Sequence, residues 1–196
     1  MIILFIMEEH KSRRFFEEAW EVIRVLLISA AIIIPIRYFI AQPFVVRGAS
    51  MVPNFEDREY LIVDEVSYYF RAPARGEAIV FRYPRDPRQF FIKRIIGLPG
   101  ERVEIKGGRV TVLNSEYPDG FILQEEYLEP PGRATHPDMK IALDEDGYFV
   151  LGDNRDFSSD SRLWGSLPDE LIVGRVIFRA WPLRRLGIAA DYAFEY

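Results

Sequence analysis

The chain has 196 residues, a net charge of −5, no cysteine and two histidines. That length holds one ordinary domain plus an appendage, and 49% hydrophobic with 28% charged residues excludes both a disordered chain and a multi-span membrane protein. The acidic balance, with no basic block interleaved with aromatics, argues against nucleic acid as a partner, and the lack of cysteine excludes disulfides, thiolate nucleophiles and zinc–thiolate sites.

Residues 1–21 form a short charged lead with Lys11, Arg13 and Arg14. Residues 22–41, VIRVLLISAAIIIPIRYFIA, follow. Val25 to Ile36 is a stretch of twelve residues without charge, bracketed by Arg24 and Arg37. A bilayer core of ~30 Å needs ~20 mostly apolar helical residues. The segment reaches that length if the two arginines extend towards the interfaces. A buried soluble helix or a cleavable signal peptide also fits a short apolar core. The first normally shows an amphipathic stripe, which this run lacks. The second needs a small-x-small site, and Gln42-Pro43-Phe44 follows instead. The reading adopted is an uncleaved single-pass anchor. The basic residues ahead of it point to a cytoplasmic N-terminus, a bias that Arg37 and Arg47 reduce.

From residue 42 the pattern becomes short apolar runs bounded by Gly, Pro, Asp or Asn, the signature of β-strands and hairpins. PFVVRG, YLIVDEV, EAIVFRY, FFIKRIIG, RVEIKGGRVTVL, GYFVLG and LIVGRVIFRAW are the main examples. KGGR at 106–109 is a two-glycine hairpin signal. No helix of crossover length lies between the runs, so a mainly β, antiparallel domain over 42–196 is expected. Residues 114–147, rich in Pro, Gly and acidic groups, read as a looped excursion from it.

Chemistry concentrates in GASMVPNF (48–55), FFIKRIIGLPGE (90–101) and GDNRDFSSDSR (152–162). His10 and His136 have no carboxylate or second histidine at metal spacing, so neither a metal site nor a histidine base is expected. A nucleophilic serine would then need a neutral lysine as its base. In a strand, Lys93 shares a face with Phe91 and Ile95. It is either a surface lysine lying along apolar neighbours, or an amine whose proton affinity burial has lowered. Ser50, in a Gly-x-Ser-Met-x-Pro turn, is the candidate nucleophile. The 152–162 stretch is either a solvated loop or a paired network, since Asp153, Asp156 and Asp160 alternate with Arg155 and Arg162.

Together these stretches resemble the bacterial type I signal peptidases, membrane-anchored members of peptidase family S26. GASMVPNF is similar to their serine motif, FIKRIIGLPGE to their lysine motif, RGEAIVF (75–81) to the strand between, and GDNRDFSSDSR to their closing motif. The QPFVV lead-in and the single span match as well. The resemblance implies a barrel-like, coiled antiparallel β fold and a Ser-Lys endopeptidase cutting signal peptides from exported preproteins after small-x-small sites. Ser50 would be the nucleophile, its backbone amide an oxyanion donor, and Lys93 the general base. Ser158 would orient the lysine, while Asp160 and Arg162 would support the site. Some members carry a hydroxyl donor two residues before the nucleophile, where this chain has Gly48. Phe44, Val46, Phe91 and Ile92 would line the substrate site. Three departures stand out: Asn54 for threonine, Phe55 for leucine and Phe157 for asparagine. Phe55 is expected to reshape the pocket next to the cut.

The resemblance further implies a monomer without cofactor, single-pass in the plasma membrane, with its catalytic domain on the extracytoplasmic side. Two other readings compete. A self-cleaving repressor or a conjugation-linked maturation peptidase could share the dyad, but the repressor would need an upstream helix-turn-helix. A catalytically silent, membrane-tethered β-domain could bind peptides by strand addition, and intact Ser50, Lys93 and Ser158 argue against it.

Overall fold

The computed structural model describes residues 20–31, 33, 41–189 and 191–192. Two compact units divide the chain at 40/41. In the first, residues 20–31 are helical and expose large apolar side chains such as Val25 and Leu26. Among the described residues no helix is long and apolar enough to cross a membrane. The rest of the 22–41 segment falls largely outside the described residues.

The second unit is mainly β, and its strand pairings are antiparallel. The larger sheet contains β1 (Ala41–Val45), β2 (Tyr60–Asp64), β3 (Ala78–Tyr83), β4 (Asp86–Gly97), β9 (Gly147–Leu151), β10 (Leu167–Pro168) and β11 (Ile172–Trp181). Its order is β1-β2-β11-β3-β4-β9-β10, and β12 (Gly187–Ile188) pairs with β11. The smaller sheet has the order β7-β6-β5-β8, from β5 (Arg102–Lys106), β6 (Arg109–Leu113), β7 (Phe121–Ile122) and β8 (Met139–Ala142). The expected KGGR hairpin joins β5 to β6: Lys106 pairs with Arg109, and Gly107 and Gly108 both adopt positive φ. A type I′ hairpin turn demands that conformation of both central residues.

Period-two alternation explains why the larger sheet is buried on both faces. Ala78 and Val80 join Val46, Met51, Phe55, Leu61 and Val63 in one core cluster. Ile79 and Phe81 point the other way, to Ile95, Tyr148, Val150 and Leu167. A third cluster lies between the sheets, where Ile96, Phe149 and Leu151 meet Val103, Ile105, Val110 and Val112. The loop-rich stretch 114–147 supplies β7 and β8, and its Leu123, Tyr127, Leu128 and Leu143 enter that shared cluster.

Candidate active site

Ser50 sits in a tight turn between β1 and β2. Gly48 enters it with φ +88, a conformation that other residues adopt at a cost, and its amide donates to Asp57 Oδ1 at 2.8 Å. Two side chains anchor the turn from below: Met51 and Phe55 are buried, and Phe55 N donates to Met51 O at 2.8 Å. Burying a side chain of this size contributes ~1.5–3 kcal/mol, more than the ~1 kcal/mol of a typical net hydrogen bond. Core packing therefore sets the place of the turn, and hydrogen bonds refine it.

This placement corrects one expectation. Phe55 does not line a substrate pocket; it lies in the core, 2% exposed, under the Arg179 guanidinium at 5.4 Å. The hydrogen-bonded turn from Met51 to Phe55 directs both side chains to the same interior, which the apolar stretch alone did not reveal.

Lys93 is on β4 opposite Ile79 and is only 3% exposed. Its Nζ lies 2.8 Å from Ser50 Oγ and donates to Ile92 O at 2.8 Å, with the Phe91 ring centroid 5.2 Å away. Phe91 stacks on Tyr83 at 4.5 Å, so the ring beside the amine is itself held in place. Burial lowers the lysine pKa from its ordinary value to about 8, a shift moderated by the negative charges of Asp160 and Asp153. Compared with an ordinary lysine, the free amine near neutrality is enriched roughly a hundredfold or more. The amine is thus buried with a lowered pKa, not extended along the surface.

The 152–162 stretch is a paired network. Asp160 accepts from Arg162 Nε and Nη2, both at 2.8 Å, and from Gly152 N at 3.1 Å, and it caps the helical turn Ser161–Trp164. Arg162 also donates to His136 O at 2.6 Å and Arg155 O at 2.7 Å. Arg155 is buried against Glu125 and Thr135, with Tyr127 Oη at 3.0 Å. Asp153 receives Arg94 bidentately, Nε at 2.9 Å and Nη2 at 2.7 Å. Asn154 donates through its backbone to Ser50 O and through its side chain to Ala49 O, both at 3.0 Å.

Ser158 lies beside this machinery, yet its buried Oγ has no hydrogen-bond partner among the described residues. The lysine hydrogens described go to Ser50 and to Ile92 O, so the expected Ser158–Lys93 hydrogen bond is not present. What brings Ser158 close is Gly152: a Cβ there would come within 2.2 Å of Ser158 Oγ and 2.5 Å of Ser50 O. Only a residue without a side chain lets the two serine segments approach each other at this point.

A cleft of about 630 Å³ opens beside the pair, lined by Phe44, Val46, Phe90 and Ile92 and by Ser50 and Lys93 themselves. Phe91 borders it too, and Ser159, the neighbour of Ser158, faces into it. Sequence reasoning missed Gly152, Arg94, Glu125, Tyr127 and Thr135. A signal existed for Arg94: it points opposite to Lys93 in a strand buried on both faces, so it required a buried counter-ion. Glu125, Tyr127 and Thr135 lie in loop-rich sequence with no local pattern to mark them.

The profile described as signal peptidase, peptidase S26, matches residues 19–181. The chain belongs to this family. A probable signal peptidase I-1 from Synechocystis is 38% identical, with 89% of this chain and 88% of that protein covered. A signal peptidase I from Leptolyngbya laminosa is 39% identical, covering 85% and 82%. The solved structure of a signal peptidase I from Enterococcus faecalis is 32% identical, covers 54% of this chain and 97% of that one, and gives a TM-score of 0.46. The protein is a peptidase of family S26, with its serine and buried lysine side by side in the wall of the cleft.

Proposed function

We propose that the protein is a membrane-anchored serine endopeptidase that removes N-terminal signal peptides from exported preproteins. Ser50 is the nucleophile and Lys93 the general base. The observation that carries this reading is the 2.8 Å separation of Ser50 Oγ and Lys93 Nζ in an apolar pocket that lowers the lysine pKa.

The neutral amine accepts the Ser50 hydroxyl proton as Oγ attacks the scissile carbonyl carbon. The oxyanion that forms is met by the Ser50 backbone amide. Its collapse breaks the C–N bond, and the Lys93 ammonium gives its proton to the departing amine. Water then attacks the acyl ester with Lys93 again as base, releasing the signal peptide as a carboxylic acid and restoring Ser50. Gly48 brings no side-chain donor, so any second oxyanion donor comes from elsewhere. Asp160 and Arg162 hold the closing loop in place, and Ser158, whose buried Oγ has no hydrogen-bond partner among the described residues, is the group we assign to orienting the amine.

The substrate runs extended along the cleft and adds as a strand. Two features support this: β1 is an edge of the sheet, and β9 pairs with β4 only from Arg94 onward, leaving the Phe90–Lys93 side of β4 without that neighbour. Val46 and Ile92 form a shallow apolar floor suited to small side chains. A wrong methylene costs only ~1–3 kcal/mol, so presentation at the bilayer must add to selectivity. We assign that role to a single-pass anchor over residues 22–41 in the plasma membrane, with the N-terminus cytoplasmic, the catalytic unit extracytoplasmic and the enzyme monomeric.

The test is preprotein cleavage by the detergent-solubilised chain, with the cut mapped by mass spectrometry. Ser50→Ala and Lys93→Ala should each abolish processing; full activity in either would overturn the dyad.

A further inference from the structure

Residue 54 connects the segments that build the site. Its side-chain amide nitrogen is 2.9 Å from Asp153 Oδ2 and 2.9 Å from Tyr127 O. Both partners are acceptors, so chemistry requires the NH2 group there, one hydrogen for each. The backbone carbonyl of Asn54 in turn accepts from Arg179 and, at 3.3 Å, from Arg185. These arginines are themselves held by Glu59, through contacts of 2.7 and 2.9 Å. Asp153 is also the carboxylate that grips Arg94, the β4 neighbour of Lys93. A continuous hydrogen-bonded path thus runs from the Ser50 turn through Asn54, Asp153 and Arg94 to the strand that carries Lys93.

We propose that Asn54 is a positioning residue that registers the Ser50 turn against β4, and so sets the Ser50–Lys93 separation, by donating simultaneously to Asp153 and Tyr127. The inference rests on the reading of Ser50 and Lys93 as the dyad. Buried Met51 and Phe55 place the turn within the core, but apolar contacts are non-directional and tolerate small slides. Two directed hydrogen bonds to a carboxylate and a carbonyl do not. Threonine, which the motif resemblance leads one to expect at this position, has a single hydroxyl hydrogen and can make only one of the two links. The asparagine is therefore a device of this chain for tying the nucleophile turn both to the buried ion pair and to the loop that follows β7.

Asn54 does not border the cleft, so its loss should act on turnover and not on substrate binding. A displacement of about 1 Å at reacting groups costs ~10²-fold. In full-length solubilised protein, Asn54→Ala should lower kcat by roughly 10- to 100-fold with KM changed less than about twofold, and Asn54→Thr should fall between it and the parent. Asn54→Asp, the same size but with donors replaced by a charge facing Asp153, should be at least as impaired as the alanine variant. The inference is overturned if all three variants keep kcat within about twofold of the parent, or if kcat falls only in step with the folded fraction and threonine is no better than alanine. Ser50→Ala measured alongside separates the two claims. Activity in that variant sinks the dyad itself, whereas an inert Ser50→Ala with a fully active Asn54→Ala sinks only the positioning role.

Discussion

Lys93 and Arg94 are consecutive cations on one strand, and the sheet sends them to opposite fates. Lys93 faces a serine hydroxyl, a carbonyl and an aromatic ring, with no carboxylate bonded to it among the described residues. Arg94 faces a bidentate carboxylate, the Gly76 carbonyl at 2.7 Å and the rings of Tyr127 and Tyr192. Burial without a bonded counter-ion disfavours the charged form and frees an amine for proton transfer. Burial with one leaves a guanidinium charged and fixed in place. The difference between chemistry and scaffold here is one peptide unit and the identity of the opposing side chain.

The comparison breaks most visibly at the lysine. Lys93→Met keeps the apolar stem but removes the base, and should reduce turnover by about 10⁴-fold or more while leaving the fold intact. Removing the partner of the other cation has the opposite signature. Asp153→Ala strands the Arg94 charge in the interior and should destabilise the protein by ~3–5 kcal/mol in chemical denaturation, with activity lost as a consequence.

The titration of Lys93 sharpens the contrast. Its folded pKa of about 8 lies below the ordinary 10.5, so the unfolded chain binds more protons between these values. The cost of burying the charged amine is fully present below pH 8 and disappears as pH rises to about 10.5, a gain of about 3 kcal/mol that Lys93→Met should abolish. Turnover should rise through the same folded pKa, and a flat rate between pH 6 and about 9 would contradict a lysine base. Gly152→Ala tests whether the closing loop must touch the serine turn; a loss of about 10²-fold in kcat is expected, with a destabilisation of ~1–3 kcal/mol in chemical denaturation because the added methyl meets the Ser50 carbonyl. At the far end of the scale stands the cross-strand pair Lys140–Glu104, 3.0 Å apart with the lysine largely exposed. Lys140→Met should shift stability by less than about 0.5 kcal/mol and leave turnover unchanged.

Much of this was legible before any coordinates. Alternation and turn residues marked strands that are present, including the central FFIKRIIG and the KGGR hairpin, because strand side chains repeat every two residues and a two-residue hairpin restricts its own φ angles. The serine and lysine segments stood out as candidates because few residue types can serve as base in a chain without cysteine or a suitably placed histidine, and the resemblance to the signal peptidase motifs assigned their roles. Local pattern could not say where Phe55 points, since an apolar side chain after a turn can serve the core or a pocket equally well. It also could not find the partners of Arg155, because Glu125 and Thr135 are 30 and 20 residues away in sequence.

By itself the sequence determined the strand-rich character of the second unit, the apolar segment ahead of it and the residue types available for chemistry, all of which depend on neighbours along the chain. Tertiary structure decided which charged groups are paired and which amine is left without a bonded carboxylate. That decision depends on distances between segments tens of residues apart, and the lowered pKa of Lys93 is made by it: the same side chain, exposed, would titrate near its ordinary 10.5.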